Sequence, residues 1–174
     1  MKTVLVTGPI GSGKSEVCRY LASKGLPVYD CDSRTKALYD TVPGLKAGIE
    51  KALGIRWEQI GIIFSDPVRR EKLEHIVYPL VLEDIASWKA GLDSAGLAFI
   101  ESAVAMDKKE FDCVYDEVLL VTAPYDVRRK RNPKAEQRDS LQTHERSRAD
   151  YIIENDSTIE ELHIKTEQLL CRLI

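Results

Sequence analysis

Short apolar runs that end at glycine or at an acid alternate with longer polar segments of helical periodicity. Each run is rich in Val, Ile and Leu and too short for a typical helix, as buried β-strands are. The predicted strands are Thr3–Thr7, Pro27–Tyr29, Leu97–Ile100, Val118–Val121 and Tyr151–Ile153. Because strands that alternate with helices favour parallel sheets, the pattern predicts a three-layer α/β/α fold with a five-stranded parallel sheet.

Apolar residues three and four positions apart predict helices after the first and last strands. Val17, Tyr20 and Leu21 mark a helix that begins after Gly13, and Gly25 stops it. The closing amphipathic helix is marked by Ile159, Leu162, Thr166, Leu169 and Leu173.

The segment of about 33–89 is predicted to be a mostly helical region between the second and third strands. One stripe of apolar residues crosses it, with Pro79 as a kink or a helix boundary. This stripe consists of Leu73, Ile76, Val77 and Leu80. Since no linker or repeat divides the chain, we expect residues 1–174 to form a single domain with this region on one side.

Composition narrows the class of protein. Hydrophobic residues make up 44% and charged residues 30% of the 174 residues, so disorder throughout is not expected. A net charge of −3 gives no basic excess for binding nucleic acid, and no apolar run reaches the roughly 18 residues that span a bilayer. We therefore expect a soluble, cytoplasmic protein that binds neither nucleic acid nor membranes, whose oligomeric state the sequence leaves open.

A phosphate-binding motif follows the first strand. The segment matches G-x-x-x-x-G-K-[ST] at every specified position, between a predicted strand and a predicted helix. Its residues are Gly8, Pro9, Ile10, Gly11, Ser12, Gly13, Lys14 and Ser15. Glycines allow the backbone N–H groups to face phosphate, and the helix N-terminus favours an anion. Lys14 would reach the β- and γ-phosphates of ATP, and the Ser15 hydroxyl would bind Mg²⁺.

Other residues indicate which class of phosphate-loop protein this sequence belongs to. A GTPase would need a base-reading Asn-Lys-x-Asp, which the sequence lacks. Acids end two strands, Asp30 and Asp32 after the second and Glu101 after the third. In an open α/β sheet such ends meet the ligand, so Asp32 could accept a hydroxyl proton or help to place the metal, and Glu101 could orient a water on Mg²⁺. The sequence thus predicts a kinase of a small-molecule hydroxyl.

Three segments, taken together, resemble the dephospho-CoA kinase family. They are the phosphate loop, written T-G-P-I-G-S-G-K-S, the segment Pro27–Asp32 and the late segment Ala149–Asn155. A further helical match runs from Ile63 to Pro79. The resemblance implies phosphorylation of the ribose 3′-hydroxyl of dephospho-CoA with ATP and Mg²⁺, the last step of coenzyme A biosynthesis.

The resemblance also implies roles for residues. Asp32 would be the catalytic base, and Asn155 would lie near the adenine of ATP. The segment of about 128–148 would be a short lid whose arginines clamp the phosphates, with Arg131 and Arg138 as the catalytic pair. Arg128 and Arg129 are the other candidates for that clamp.

The acceptor half departs from the family pattern. Tyr78 stands where a histidine is usual, Ile60-Gly61 replaces Leu-Arg, and Ser102–Met106 replaces P-L-L-F-E. Glu101 and Asp107 are the acids available in place of the missing glutamate. Two alternatives therefore stay open: a kinase of the same fold for another hydroxyl or nucleotide, and a nucleotide-binding relative without catalysis.

Overall fold

The computed structural model describes residues 1–92, 95–133 and 145–173. The chain forms two compact units. One combines Met1–Asp30 with Gly91–Ile174 and contains the sheet, whereas the other, Cys31–Ala90, is helical. Residues 134–144 of the predicted lid, which include Arg138, lie outside the described residues.

Five described strands form one parallel sheet. In chain order they are β1 Lys2–Thr7, β2 Val28–Asp30, β3 Leu97–Glu101, β4 Glu117–Thr122 and β5 Tyr151–Glu154. Their spatial order is β2-β3-β1-β4-β5, and every neighbouring pair is parallel. The predicted α/β fold with a five-stranded parallel sheet is confirmed.

Both faces of the sheet are buried, which explains why the strands are apolar at nearly every position. On one face, Val4 and Val6 of β1 pack in a cluster with α1 (Lys14–Ser23) and α6 (Ile159–Leu173). The alternate strand positions Leu5, Ile100 and Leu120 point the other way and are also fully buried.

The order of the strands creates a crevice at the carboxyl end of β1. After β1 the chain moves to β2 and β3 on one side, and later to β4 and β5 on the other. In open parallel sheets, ligands bind where the winding reverses in this way. The loop between β1 and α1 therefore lies at the position that the topology favours for a ligand.

The helical unit is built around one long helix. It contains α2 Cys31–Thr41, α3 Leu45–Leu53, a 3₁₀ segment at Trp57–Phe64 and α4 Pro67–Ala90. Its buried apolar side chains on α3 and α4 recur every three or four residues, as one face of a helix does. They are Leu45, Ile49, Leu53, Leu73, Val77, Val81 and Ile85.

Helix α4 continues through Pro79 instead of ending there. Of the two alternatives predicted for Pro79, the helix boundary is therefore wrong, and the kink stays a prediction. Proline removes one backbone hydrogen bond from a helix, but the buried stripe runs from Val77 to Val81 without interruption. Pro79 itself is exposed, so burial on the opposite face maintains the helix across it.

Shorter elements complete the described chain. Helix α5 spans Tyr125–Arg131, and 3₁₀ turns lie at Ala105–Asp107, Lys109–Phe111 and Arg146–Arg148. Within residues 1–92, 95–133 and 145–173, no helix combines the length and apolar character needed to cross a bilayer.

The contribution of the α4 N-terminus to the stability of the helical unit can be tested at Asp66. The Asp66 carboxylate accepts a hydrogen bond from the backbone N–H of Arg69 at 3.0 Å and pairs with the Arg69 guanidinium. These interactions lower the pKa of Asp66. Because the folded-state pKa is lowered, the stabilisation is present above the unfolded value of about 3.9 and is lost as pH falls through the folded value.

We expect Asp66→Ala to lower the Tm at pH 7, because the first turn of α4 loses its cap. Thermal denaturation followed by circular dichroism, from pH 7 down to pH 3, measures the effect. The Tm difference from the wild type should hold down to about pH 4 and then shrink. Asp40→Ala, which removes an exposed partner of Lys46, is the control with little effect. A difference that does not depend on pH would contradict the prediction.

Candidate functional site

The loop between β1 and α1 has a backbone that glycine alone permits. Gly8, Gly11 and Gly13 have φ angles of 142°, 76° and 105°. A Cβ atom on Gly8 would lie 2.0 Å from the carbonyl oxygen of Val121, and one on Gly13 would lie 2.3 Å from Nδ2 of Asn155. The loop is therefore curled and closely surrounded, so a side chain at these positions would force it open.

The loop leads directly into the N-terminus of α1. Gly13 occupies the cap position, and among the described residues no side chain caps this helix end. Within the loop, the N–H of Ser12 donates to the carbonyl of Pro9 at 3.1 Å, and Nζ of Lys14 lies 3.4 Å from the same oxygen. The N–H groups at the start of α1 and the ammonium group of Lys14 lie in the same turn. Together they would stabilise a bound anion.

A carboxylate from β3 contacts the first turn of α1. The hydroxyl of Ser15 donates to Oε1 of Glu101 at 2.7 Å. Burial raises the pKa of the Cys18 thiol well above its usual value, and the charge of Glu101 and a hydrogen bond to it raise this pKa further. The nearby Lys14 ammonium acts in the opposite direction. Cys18 is therefore a neutral thiol packed under the loop.

These oxygen atoms suit Mg²⁺. The Ser15 hydroxyl and the Glu101 carboxylate are hard oxygen donors, and Asp30 is paired in register with Glu101 on the neighbouring strand. No group of three or more His, Cys, Asp or Glu side chains suited to a metal is found in the described parts of the chain.

Two arginine side chains of α5 form hydrogen bonds with backbone carbonyls of the loop. Arg128 is only 8% exposed, and its guanidinium donates to the carbonyls of Ala123 at 3.2 Å and Ile10 at 3.5 Å. Nη1 of Arg131 donates to the carbonyl of Gly11 at 3.3 Å. The two guanidinium groups bring positive charge to the loop and bind carbonyls that would otherwise repel an anion.

The turn after β5 supplies the third support of the loop. The backbone N–H of Asn155 donates to the carbonyl of Thr122 at 2.7 Å, which ties this turn to the end of β4. The side-chain Nδ2 donates to the carbonyl of Ser12 at 2.8 Å, and Nη2 of Arg131 lies 3.5 Å from Oδ1. The buried Asn155 thus contacts both the loop and α5.

A polar contact joins α1 to the closing helix. Glu16, which follows Ser15, pairs with Nε2 of His163 at 2.9 Å and with Arg19 at 2.6 Å. The ring of Tyr20 stacks on His163 with centroids 4.3 Å apart. Because the charge of Glu16 is paired in this way, it opposes an anion at the loop less than a lone carboxylate would.

The predicted site residues fall in different parts of the structure. The loop, Glu101, Arg131 and Asn155 come together in the unit that contains the sheet. Asp32 lies in the first turn of α2 in the helical unit. Burial of the Tyr39 side chain raises the pKa of Tyr39, and the charge of Asp32 raises it further. Arg129 is exposed on α5, and Arg138 lies outside the described residues.

Sequence reasoning missed two residues around the loop. Cys18 is not among the predicted site residues, yet its thiol forms a hydrogen bond with Glu101. Its position one helical turn after Ser15 was the signal that could have found it. His163 is not among the predicted site residues either, and its partner Glu16 lies 147 residues earlier, so no local pattern predicts the pair.

Comparison with known proteins extends the match beyond the loop. No protein-family profile matches the sequence. A dephospho-CoA kinase of Porphyromonas gingivalis is 36% identical over 140 residues, which cover 75% of this chain and 68% of the relative. Dephospho-CoA kinases of Frankia casuarinae and Salinibacter ruber are 31% and 30% identical and each match 97% of this chain, covering 82% and 96% of their own lengths.

Solved structures share the fold over nearly the whole chain. The crystal structure of TT1252 from Thermus thermophilus superimposes with a TM-score of 0.81 at 29% identity, covering 99% of this chain and 98% of that one. A dephospho-CoA kinase from Campylobacter jejuni gives a TM-score of 0.67 at 17% identity, with the same coverage of both chains. The similarity therefore includes the helical unit as well as the sheet.

Substitution of two glycines that have almost the same φ angle can distinguish the cost of backbone strain from the cost of a steric clash. Gly11 (76°) and Gly25 (79°) both adopt the left-handed conformation. A Cβ on Gly11 would meet the carbonyl oxygen of Arg128 at 2.8 Å, whereas one on Gly25 would meet no atom within 4 Å. We expect Gly25→Ala to cost about 1–2 kcal/mol in unfolding free energy and to leave anion binding intact.

Gly11→Ala should cost more in unfolding free energy and should weaken ATP binding, because α5 and the loop must separate. Urea denaturation and calorimetric titration with ATP measure the two effects. Equal losses of ATP affinity in both variants would contradict the close packing described above.

Proposed function

We propose that this chain, which belongs to the dephospho-CoA kinase family, phosphorylates the 3′-hydroxyl of dephospho-CoA to give coenzyme A. The chain is a phosphotransferase of that family, its phosphoryl donor is ATP and its acceptor is a small molecule. The identity of the acceptor is the part that we propose. The observation that carries it is the match to dephospho-CoA kinases over 97% of the chain, which includes the helical unit.

The phosphate loop supports binding of the donor. Its N–H groups and the α1 N-terminus would face the phosphate oxygens of ATP, and Lys14 would reach the β- and γ-phosphates. In the structure, Nζ of Lys14 lies 3.4 Å from the Pro9 carbonyl, so the ammonium is already held across the loop. This arrangement favours charge stabilisation, since little needs to move when phosphate arrives.

Asp32 is proposed as the base. The acceptor hydroxyl would attack the γ-phosphorus in line while the bond to the bridging oxygen of ADP breaks, and the hydroxyl proton would pass to the Asp32 carboxylate. Asp32 comes two residues after Asp30, the last residue of β2, and the resemblance to the family gives it this role. Asp30 would remain beside Glu101 on the sheet.

Arg131 and Arg138 are proposed to stabilise the charge that spreads over the transferred phosphoryl group. The guanidinium of Arg131 lies against the loop, 3.3 Å from the Gly11 carbonyl, which supports this role. Asn155 is proposed to lie near the nucleotide. The segment of about 128–148 is proposed to close over the site, and closure would exclude water that could otherwise hydrolyse ATP.

Mg²⁺ is proposed as the cofactor. The hydroxyl of Ser15 would hold it directly, and Glu101 or Asp32 would act through a bound water. The 2.7 Å contact between Ser15 and Glu101 supports the first two assignments, because it brings two hard oxygen donors together at the loop. When bound, the ion would supply positive charge that offsets the negative charge of the phosphates.

A kinase of another hydroxyl is the second candidate. The departures from the family pattern favour it, since Tyr78, Ile60-Gly61 and Ser102–Met106 all lie in segments that resemble the acceptor side. At about 30% identity, the relatives also leave room for a different acceptor. A relative that binds ATP without turnover is the third, and the presence of Lys14, Ser15 and Asp32 argues against it.

The deciding experiment measures ADP release from ATP and Mg²⁺ with and without dephospho-CoA. We expect release to depend on dephospho-CoA and the product to be coenzyme A by mass spectrometry. In Lys14→Ala, kcat should fall by about 10²-fold or more, because one donor to the developing charge is lost. ATP binding without turnover would contradict the assignment of dephospho-CoA and would lead to a screen of other hydroxyl acceptors.

Asp32→Asn tests the base separately from the binding of ATP. We expect kcat to fall by about 10²- to 10⁴-fold while the KM for ATP stays close to that of the wild type. Asp40→Asn is the matched control, because Asp40 lies on the same helix with a side chain 70% exposed. Near wild-type kcat in Asp32→Asn would exclude Asp32 as the base.

A further inference from the structure

Asn155 makes a side-chain contact that the proposed reaction does not use. The residue is 5% exposed, and its backbone N–H is held by the Thr122 carbonyl at the end of β4. Its side-chain Nδ2 donates to the Ser12 carbonyl at 2.8 Å, across 143 residues of sequence. This hydrogen bond satisfies the buried side-chain amide, which would destabilise the fold if it had no partner.

The surroundings are shaped for this amide. Gly13 has no side chain, and Nδ2 of Asn155 lies 2.3 Å from where its Cβ would be, so the amide occupies that space. Ser12 is itself fully buried, which leaves its carbonyl no access to bulk water. Asn155 therefore supplies the partner that this loop carbonyl needs.

Carbonyl direction decides whether the loop can bind phosphate. Each peptide unit has its N–H and C=O on opposite sides, so a carbonyl held away from the anion leaves the neighbouring N–H groups facing it. Asn155 holds the Ser12 carbonyl, and Arg131 holds the Gly11 carbonyl at 3.3 Å. Their side chains approach each other, with Nη2 of Arg131 3.5 Å from Oδ1 of Asn155.

We propose that Asn155 is a positioning residue that keeps the phosphate loop in its anion-binding shape by holding the Ser12 carbonyl. Its effect on nucleotide binding is then exerted through the phosphates, and it does not depend on which base the nucleotide carries. The proposal rests on the binding of ATP by the loop and is independent of which hydroxyl is phosphorylated. A residue that reads the adenine would behave differently, because only ligands with that base would respond to its loss.

The test compares three ligands in the absence of any acceptor. Calorimetric titration with ATP, GTP and inorganic tripolyphosphate, each with Mg²⁺, gives the Kd values of the wild type and of Asn155→Ala. We expect the variant to bind ATP and tripolyphosphate more weakly by the same factor, about tenfold, since a buried carbonyl loses its partner. Binding of GTP, where measurable, should weaken by that factor too.

Two further variants test the hydrogen bond. Asn155→Asp has nearly the same shape but replaces the donor with a charged acceptor, so it should weaken tripolyphosphate binding more than Asn155→Ala does. Asp156→Ala is the matched control, because Asp156 is the next residue but pairs with Lys165 on α6. Its affinity for all three ligands should equal that of the wild type.

Three outcomes would overturn the proposal. Loss of affinity for ATP alone, with tripolyphosphate unchanged, would make Asn155 a base-reading residue. Unchanged affinities in folded Asn155→Ala and Asn155→Asp would leave it only a packing role. Wild-type protein that binds no ATP would remove the proposed function as well, whereas ATP binding without phosphorylation of dephospho-CoA would leave this proposal standing.

Hydrogen exchange of the wild type provides a test that needs no variant. If Asn155 and the loop act together, tripolyphosphate should slow exchange of the Asn155 amide along with the amides of residues 10–15. Slower exchange at Asn155 with ATP but not with tripolyphosphate would overturn the proposal.

Discussion

The structure around the site depends on the tight backbone curl between β1 and α1. Gly8, Gly11 and Gly13 hold left-handed conformations there, and atoms from three other elements fill the space where their side chains would be. Those elements are the end of β4, helix α5 and the turn after β5. They reach the loop because the sheet order places β4 directly beside β1 and β5 beside β4. The topology of the sheet therefore decides which elements surround the loop.

Much of the fold could be predicted because its signals are local. Each strand is a short apolar run bounded by a breaker, and the predicted limits agree with the structure to within one residue at either end. The phosphate loop was equally visible, since recognition by backbone N–H groups requires glycines at set positions, and these leave a pattern in the sequence. A helix boundary at Pro79 is absent because a buried stripe of apolar side chains continues past this residue, from Val77 to Val81.

The remaining parts of the site depend on contacts that no local pattern encodes. Asn155 binds the Ser12 carbonyl across 143 residues, and His163 binds Glu16 across 147. Substrate choice is hard to predict for a related reason. An acceptor is recognised by side chains, and many different side chains can make equivalent contacts, whereas a phosphate loop has very few solutions. This is why ATP use follows from family membership while the acceptor remains a proposal.

The long-range contacts of the loop also have a consequence for synthesis of the protein on the ribosome. The motif is translated more than 110 residues before Arg128, Arg131 and Asn155, whose side chains hold its backbone. A growing chain that stops before β5 carries the complete motif without the contacts that shape it. If the loop needs these contacts to bind an anion, as we propose for Asn155, nucleotide would stabilise the chain only after the sheet has closed.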